Sequence, residues 1–173
     1  MILWQAYLNL IQTQYELLKG ELHEPDHVEI GPILEAKDRK FPASAPFGMD
    51  WAVIYSDGKY FRVKESYNRC SLPSIGAGRR AHFSFHYGGA CPRRDSEGFP
   101  LTQEPDTPHA DLRIDLDYRG PHIHVGTPEH IPQDRVKGYT IQDAAVEMFL
   151  RAVAKHRKTG ESLTDLLGIK VIP

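Results

Sequence analysis

Two stretches of this chain, residues 80–87 and 111–118, alternate residue by residue between apolar and polar side chains. Such alternation is typical of a β-strand that buries one face and leaves the other to solvent or to a ligand. A third stretch, 122–125, places two histidines on one face in the same way. If these strands are neighbours, one side of the sheet carries the core and the other side carries a polar set: Arg80, His82, Ser84, His86, Arg113, Asp115, Asp117, His122 and His124.

Further strands are predicted upstream of these three. Asp57 and Gly58 separate two β-prone runs, 51–56 and 59–65, and an Asp-Gly pair in that setting is a strong signal for a hairpin. One short additional strand is favoured over 28–34. We therefore expect an α+β fold whose antiparallel sheet has about five strands.

Helices are predicted on both sides of the strand region. Apolar residues recur at helical spacing over 2–18, and Gly20 is the expected end of that helix. The run 140–143 resembles a capping box and predicts the start of a second helix with a strong apolar stripe. Residues 162–168 predict a short helix that stops at a glycine. The sheet is thus expected to be flanked by an N-terminal helix and C-terminal helices.

Composition limits the class of protein. A length of 173 residues suits one domain over 1–173, in which 88–110, with its four prolines, forms a loop or flap. With 21 basic and 23 acidic residues the net charge is −2, so any anion-binding surface is local. Cys70 and Cys91 form neither a disulfide framework nor a metal clip. The first apolar stretch is too interrupted for a signal peptide or a membrane span, and we expect a cytoplasmic protein.

Histidine is the anomaly, since six of the nine histidines lie between His82 and His130. In a metal-free interpretation, imidazoles exchange protons with a ribose hydroxyl and a leaving oxygen, arginines clamp the phosphate, and a carboxylate orients one imidazole. The catalytic candidates are His82, His86, His122, His124 and Asp115. The substrate-binding candidates are Arg80, Arg113 and Arg79, the last of which lies in a glycine-rich turn.

A metal-assisted interpretation uses His122, His124 and Asp115 as a facial set of two histidines and a carboxylate, which suits Zn, Mn or Ni. A His-x-His pair also occurs in endonucleases with a tyrosine nucleophile, for which Tyr139 is the candidate. The third interpretation is an ordinary solvated face without catalysis. His109 and His130 are interpreted as solvated loop residues, and His23, His27 and His156 receive no function.

Four short motifs together resemble the TumE-type toxins of bacterial toxin–antitoxin modules. They are Ser56-Asp57-Gly58 in the hairpin, the strand from His82 to Tyr87, Leu112-Arg113-Ile114-Asp115, and Pro121-His122-Ile123-His124. The resemblance covers about residues 1–125. It implies a small cytoplasmic effector that acts on RNA and is held in check by an antitoxin or another neighbouring gene product.

The leading hypothesis from the sequence is a toxin-like nuclease or phosphodiesterase, without any membrane association. The alternative is a non-enzymatic module that binds a protein partner through the polar face of the sheet. Both depend on the same expectation, namely that polar side chains from separate strands meet on one patch.

Overall fold

The computed structural model describes residues 2–33, 47–69, 77–89, 93–100 and 110–173. The helices in this part are α1 (Trp4–Leu22), α2 (Val146–Thr159) and α3 (Leu163–Leu167), with 3₁₀ turns at Gln133–Arg135 and Ile141–Asp143. The strands are β1 (Ile2–Leu3), β2 (Val28–Ile33), β3 (Phe47–Ile54), β4 (Tyr60–Arg69), β5 (Ala77–Tyr87), β6 (Leu112–Asp117), β7 (Gly120–His124), β8 (Ile131–Pro132), β9 (Val136–Lys137) and β10 (Lys170–Val171).

The main sheet is antiparallel and follows the chain, in the order β2-β3-β4-β5-β6-β7-β8, with β1 paired to β5 off this path. Strands β9 and β10 form a separate pair. The predicted α+β class, with helices at both ends of the chain, is confirmed. The expected count of about five strands is too low, because seven strands lie along the path. Strand β8 has only two residues, too few to show a period in the sequence.

All three helices pack against the apolar face of the sheet and share one hydrophobic core with it. Tyr15 of α1 meets Trp51 edge to face at 4.9 Å between ring centroids, and Phe149 of α2 lies 5.5 Å from Phe85. The predicted alternation holds here, since Phe83, Phe85, Leu112 and Ile114 are all buried in this core. The opposite face of the sheet is therefore the side available to the polar set.

Arg80 does not share that polar face, so the sequence prediction of its position is wrong. Ser66 of β4 pairs with His82, but the next residue, Tyr67, pairs with Arg80, so one residue of β5 is skipped, as at a β-bulge. This shift of register turns the Arg80 side chain to the helix side of the sheet. Its guanidinium donates to Glu65 Oε1 at 3.1 Å and to the carbonyls of Gln142 and Ala144, and it lies 4.3 Å from the Phe83 ring centroid. Arg80 thus ties β5 to the segment before α2.

Two predicted helix boundaries are also wrong. Helix α1 passes through Gly20 to Leu22, whose side chain is buried in the core, and this burial outweighs the cost of about 1 kcal/mol for a glycine in a helix. Helix α2 begins at Val146, because Ile141 is buried in a 3₁₀ turn and the Thr140 side chain makes no capping bond. Helix α3 ends as predicted at Gly168, with φ 71°. No helix of the described ranges has the length and apolarity needed to cross a bilayer.

Arg157, near the end of α2, links four parts of the chain. It donates to Glu24 beyond α1 (Nη2–Oε2 2.7 Å), to Asp57 in the hairpin turn (3.2 Å) and to the Tyr87 hydroxyl (3.0 Å). The guanidinium also lies 3.7 Å from the centroid of the Tyr55 ring. Only 12% of the Arg157 side chain is exposed, so these contacts are largely protected from water.

We predict that Arg157→Lys lowers the free energy of unfolding by about 2 kcal/mol, because an ammonium replaces neither the fork of hydrogen bonds nor the stacking on a ring. Urea denaturation measures this. The matched control is Arg151→Lys on the same helix, where the exposed pair with Glu147 is worth less than about 0.5 kcal/mol. Equal losses in the two variants would contradict the assigned role of Arg157.

Candidate metal centre

The register of the central strands places polar side chains in two rows across the sheet. Residues directly opposite each other on antiparallel strands project to the same face. The first row is Ser84, Asp115 and His122, and the second row is His86, Arg113 and His124. The structure therefore brings these six predicted residues together on the face opposite the core.

Two imidazoles lie against the Asp115 carboxylate, and a third lies against those two. Its Oδ2 lies 3.4 Å from His122 Nε2 and 3.5 Å from His124 Nε2. His130, in the loop between β7 and β8, adds a third ring, with centroids 4.7 Å from His122 and 4.5 Å from His124. One nitrogen from each of the three histidines lies within 4.8 Å of the others. The histidine cluster could therefore bind a metal ion.

The hydrogen-bonding state of the cluster suits a ligand role. His122 Nδ1 lies 2.9 Å from the Gly120 carbonyl, which can only accept, so Nδ1 carries a hydrogen and, in the neutral imidazole, Nε2 carries the lone pair. Within the described ranges, Asp115 Oδ2 and the Nε2 atoms of His122 and His124 are buried without a hydrogen bond of regular geometry, and Arg113 Nε lies 2.8 Å from Oδ2. A carboxylate oxygen and imidazole nitrogens buried this close together are stabilised when a proton or a metal cation lies between them.

The charge of the centre is set by Asp115. Burial alone would raise the pKa of this carboxyl, but the imidazoles of His122 and His124 and the charge of Arg113 hold its pKa below the usual range. Arg113 Nε donates to Asp115 Oδ1 at 3.0 Å. The carboxylate in turn raises the pKa of His122. A buried anion among imidazoles is an environment that attracts a cation.

His122, His124 and Asp115, predicted as a metal set, thus lie together, and His130 joins them. His130 was predicted to be a solvated loop residue, and nothing periodic in the sequence places it here. The available signal was proximity in sequence, since 122, 124 and 130 fall within nine residues and the loop between them turns at Gly126, with φ 64°. Imidazole nitrogens and a carboxylate oxygen suit Zn, Mn or Ni.

His86 and His82 lie on the same face but outside this centre. His86 is buried, stacks on Tyr60 at 4.6 Å between centroids, and has Nε2 3.1 Å from the Gly88 carbonyl. Burial lowers its pKa to about 4, so it is neutral at pH 7. His82 is exposed, in the row beyond Ser84. The structure gives neither residue a contact with the three clustered histidines.

The predicted arginines differ in position. Arg113 is near the centre, but its Nε is committed to Asp115. The backbone of Arg79 in β5 pairs with that of Asn68 in β4, and the Arg79 side chain lies outside the described part of the structure. Arg119, which is not among the arginines predicted from the sequence, lies at the β6–β7 turn with Nη1 3.1 Å from His130 Nε2 and Nε 3.0 Å from Asp117 Oδ2. It is the exposed cation beside the cluster.

Tyr139, proposed from the sequence as a nucleophile, does not contribute to this centre. Tyr139 packs against the hydrophobic core with its hydroxyl buried, and burial raises its pKa to about 12, which disfavours the nucleophilic phenolate. His109 and most of the loop or flap predicted over 88–110 fall outside the described ranges. Within 93–100, a β-bridge joins Arg94 to Pro100.

Comparison of the chain with models of protein families, with curated proteins and with solved structures finds no match. The resemblance to TumE-type toxins therefore stays a prediction from the four motifs. The chemistry of the centre rests on its own geometry.

We predict that the centre binds a divalent transition metal. Zn²⁺ titration should perturb the amide NMR signals of residues 120–131, and His122→Ala or His124→Ala should weaken that binding at least about 100-fold, because even the outer partners of ligands are worth 10–100-fold. His82→Ala, which removes an exposed imidazole from the same face, is the control. Unchanged affinity in the two ligand variants would exclude the site.

The buried state of His86 predicts a pH dependence of stability. Its pKa is about 4 in the folded protein and 6.5 when free, so the unfolded chain binds a proton that the folded chain does not between these values. The free energy of unfolding should fall by up to roughly 3 kcal/mol as pH drops from about 6.5 to about 4. His86→Phe should flatten this slope in denaturation curves, and His82→Gln should leave it unchanged. The same slope in all three proteins would contradict the assignment.

Proposed function

We propose that the chain is a metal-dependent phosphodiesterase that cleaves RNA, acting as a toxin-like effector in the cytoplasm. The observation that carries the proposal is a cluster of three imidazoles, two of which, His122 and His124, have Nε2 within 3.5 Å of the buried Asp115 carboxylate. Enzymes of this chemistry need a cation held by nitrogen and oxygen ligands close to a surface that accepts phosphate. The centre supplies the ligands, and Arg119 lies at its rim.

Each residue has a distinct part in this mechanism. His122, His124, His130 and Asp115 would hold the metal, which when bound polarises a phosphoryl oxygen and lowers the pKa of a coordinated water. Arg113 keeps Asp115 ionised and oriented through its Nε–H. Arg119, 38% exposed, can rotate toward solvent and bind a non-bridging phosphate oxygen with its planar guanidinium.

The metal-assisted interpretation is better supported than the metal-free one. General acid–base cleavage needs two imidazoles that can both reach a ribose and its phosphate. His86 is buried with one nitrogen directed at the Gly88 carbonyl, and His82 is exposed away from the cluster. The clustered histidines instead direct nitrogens toward one another, which suits a shared cation.

A non-enzymatic module that binds through the polar face has less open surface than the sequence suggests. Residues 93–100 lie over part of this face, where the Phe99 ring is buried 4.9 Å from Arg62 and the Pro100 carbonyl accepts a hydrogen bond from Arg62 Nη1 at 2.6 Å. This module remains the alternative that the following experiment separates from the enzyme.

The experiment is cleavage of single-stranded RNA by chelator-treated protein, with and without added Zn²⁺, Mn²⁺ or Ni²⁺. Cleavage should require one of these ions, and the double variant His122→Ala/His124→Ala should lose at least 100-fold in rate. His82→Ala should retain activity. Activity that survives both chelation and the double variant would refute the proposed site.

The effector role has a separate readout in cells. Expression of the wild-type chain should inhibit growth, the double variant should not, and co-expression with the neighbouring gene product should restore growth. If the chain binds that product but shows no RNA turnover with any of the three metals, the binding-module alternative is correct.

A further inference from the structure

A second cluster of metal-ligating side chains lies where α1 joins β2. His23 and His27 stack with their ring centroids 4.1 Å apart, and Glu29 Oε2 lies 3.2 Å from His23 Nε2. One ligand atom from each of the three residues lies within 4.8 Å of the others. We propose that His23, His27 and Glu29 form a second site for a divalent transition metal, which fastens the end of α1 to the edge strand of the sheet.

The free atoms of this cluster face one another. His27 Nδ1 lies 2.6 Å from the Glu24 carbonyl, so Nδ1 donates its hydrogen there and Nε2 keeps the lone pair. His23 Nε2 is buried and makes no hydrogen bond of regular geometry within the described part of the chain. A shared cation would satisfy both nitrogens and the carboxylate, as it would in the first centre.

The surroundings fix the third ligand. Glu29 Oε1 accepts a hydrogen bond from the hydroxyl of Tyr15 on α1. The other oxygen, Oε2, is therefore directed at His23. Metal-binding carboxylates are commonly oriented by such outer partners. Tyr15 itself packs on Trp51 in the core, so the position of the carboxylate is coupled to core packing.

The backbone between the ligands has the conformation that the stack requires. Asp26 has φ 62°, a left-handed conformation that non-glycine residues adopt infrequently and that aspartate tolerates better than most. This turn returns the chain so that His27 lies over His23 and β2 starts immediately afterwards. Two imidazoles and one carboxylate select Zn²⁺, Ni²⁺ or Co²⁺ over Mg²⁺ or Ca²⁺, which prefer oxygen ligands.

This site is independent of the centre at His122. Strands β2 and β7 are five positions apart in the sheet, which corresponds to about 24 Å at the usual strand spacing. Glu29 pairs with Val53 on the helix side of the sheet, whereas Asp115 lies on the opposite face. Loss of one metal should therefore leave the other bound, so the proposal does not depend on the enzymatic function.

The test is the stoichiometry of Zn²⁺ bound to the full chain, measured by equilibrium dialysis. The wild type should bind two ions, His122→Ala/His124→Ala should bind one, and the same variant with Glu29→Gln should bind none. Glu29→Gln keeps the shape and the hydrogen bond from Tyr15, so it should preserve the fold. His82→Ala should still bind two ions.

Thermal unfolding supplies a second readout, since metal bound only to the folded chain raises Tm. In the His122→Ala/His124→Ala background, Zn²⁺ at a hundredfold excess over Kd should raise Tm by about 5–10 °C, and His27→Asn should abolish that shift. If this background binds no Zn²⁺, or if Glu29→Gln and His27→Asn leave the bound Zn²⁺ and the shift unchanged, the second site does not exist.

Discussion

A buried carboxylate is the constraint on which the candidate centre depends. Asp115 is 1% exposed and ionised, so its charge must be balanced within the protein. Arg113 supplies one positive charge, and the two cancel. Histidines that bind a metal are neutral, so a divalent ion would leave the centre with a charge of about +2. Such a centre attracts an anion, and a phosphodiester is an anion that Arg119 at the rim can also contact.

The core positions this centre through strand register. Ile114 pairs with Ile123 on the helix side, and the neighbouring pair on the same strands is Asp115 with His122. A slip of one residue would place Ile114 on the polar face and Asp115 in the core, so the apolar pairing specifies the polar pairing. Substitutions in the core between β6 and β7 can therefore alter the site without touching it.

How much of this was accessible from the sequence differs from residue to residue. Period-two patterning identifies His122, His124 and Asp115, because pleat geometry is local and each strand keeps its apolar face. The same patterning places Arg80 on the wrong face, because the register shift beside Tyr67 cannot be recognised from the sequence of β5. His130 reaches the centre through a loop with no period, and the burial of His86 depends on Tyr60 and Gly88, which are distant in sequence or lie off the strand. Gly20 lies within a helix because Leu22 gains more from burial than the glycine costs.

A second buried carboxylate on the same face shows how the pairing of Asp115 differs from a fully matched ion pair. Asp50 is fully buried, and Arg62 donates to both of its oxygens, with Nε–Oδ1 at 3.0 Å and Nη2–Oδ2 at 2.7 Å. That fork matches the geometry of a carboxylate and neutralises it. Arg113 approaches Asp115 through Nε, which lies 3.0 Å from Oδ1 and 2.8 Å from Oδ2, so both oxygens share one N–H and Oδ2 also faces two imidazoles. The two pairs have the same charges and lie on the same face of the sheet, but Arg62 offers Asp50 a separate N–H for each oxygen, whereas the two oxygens of Asp115 share the Nε–H of Arg113. Asp115 Oδ2, which faces His122 and His124 as well as Arg113, is the carboxylate oxygen that a metal ion held by those histidines would bind.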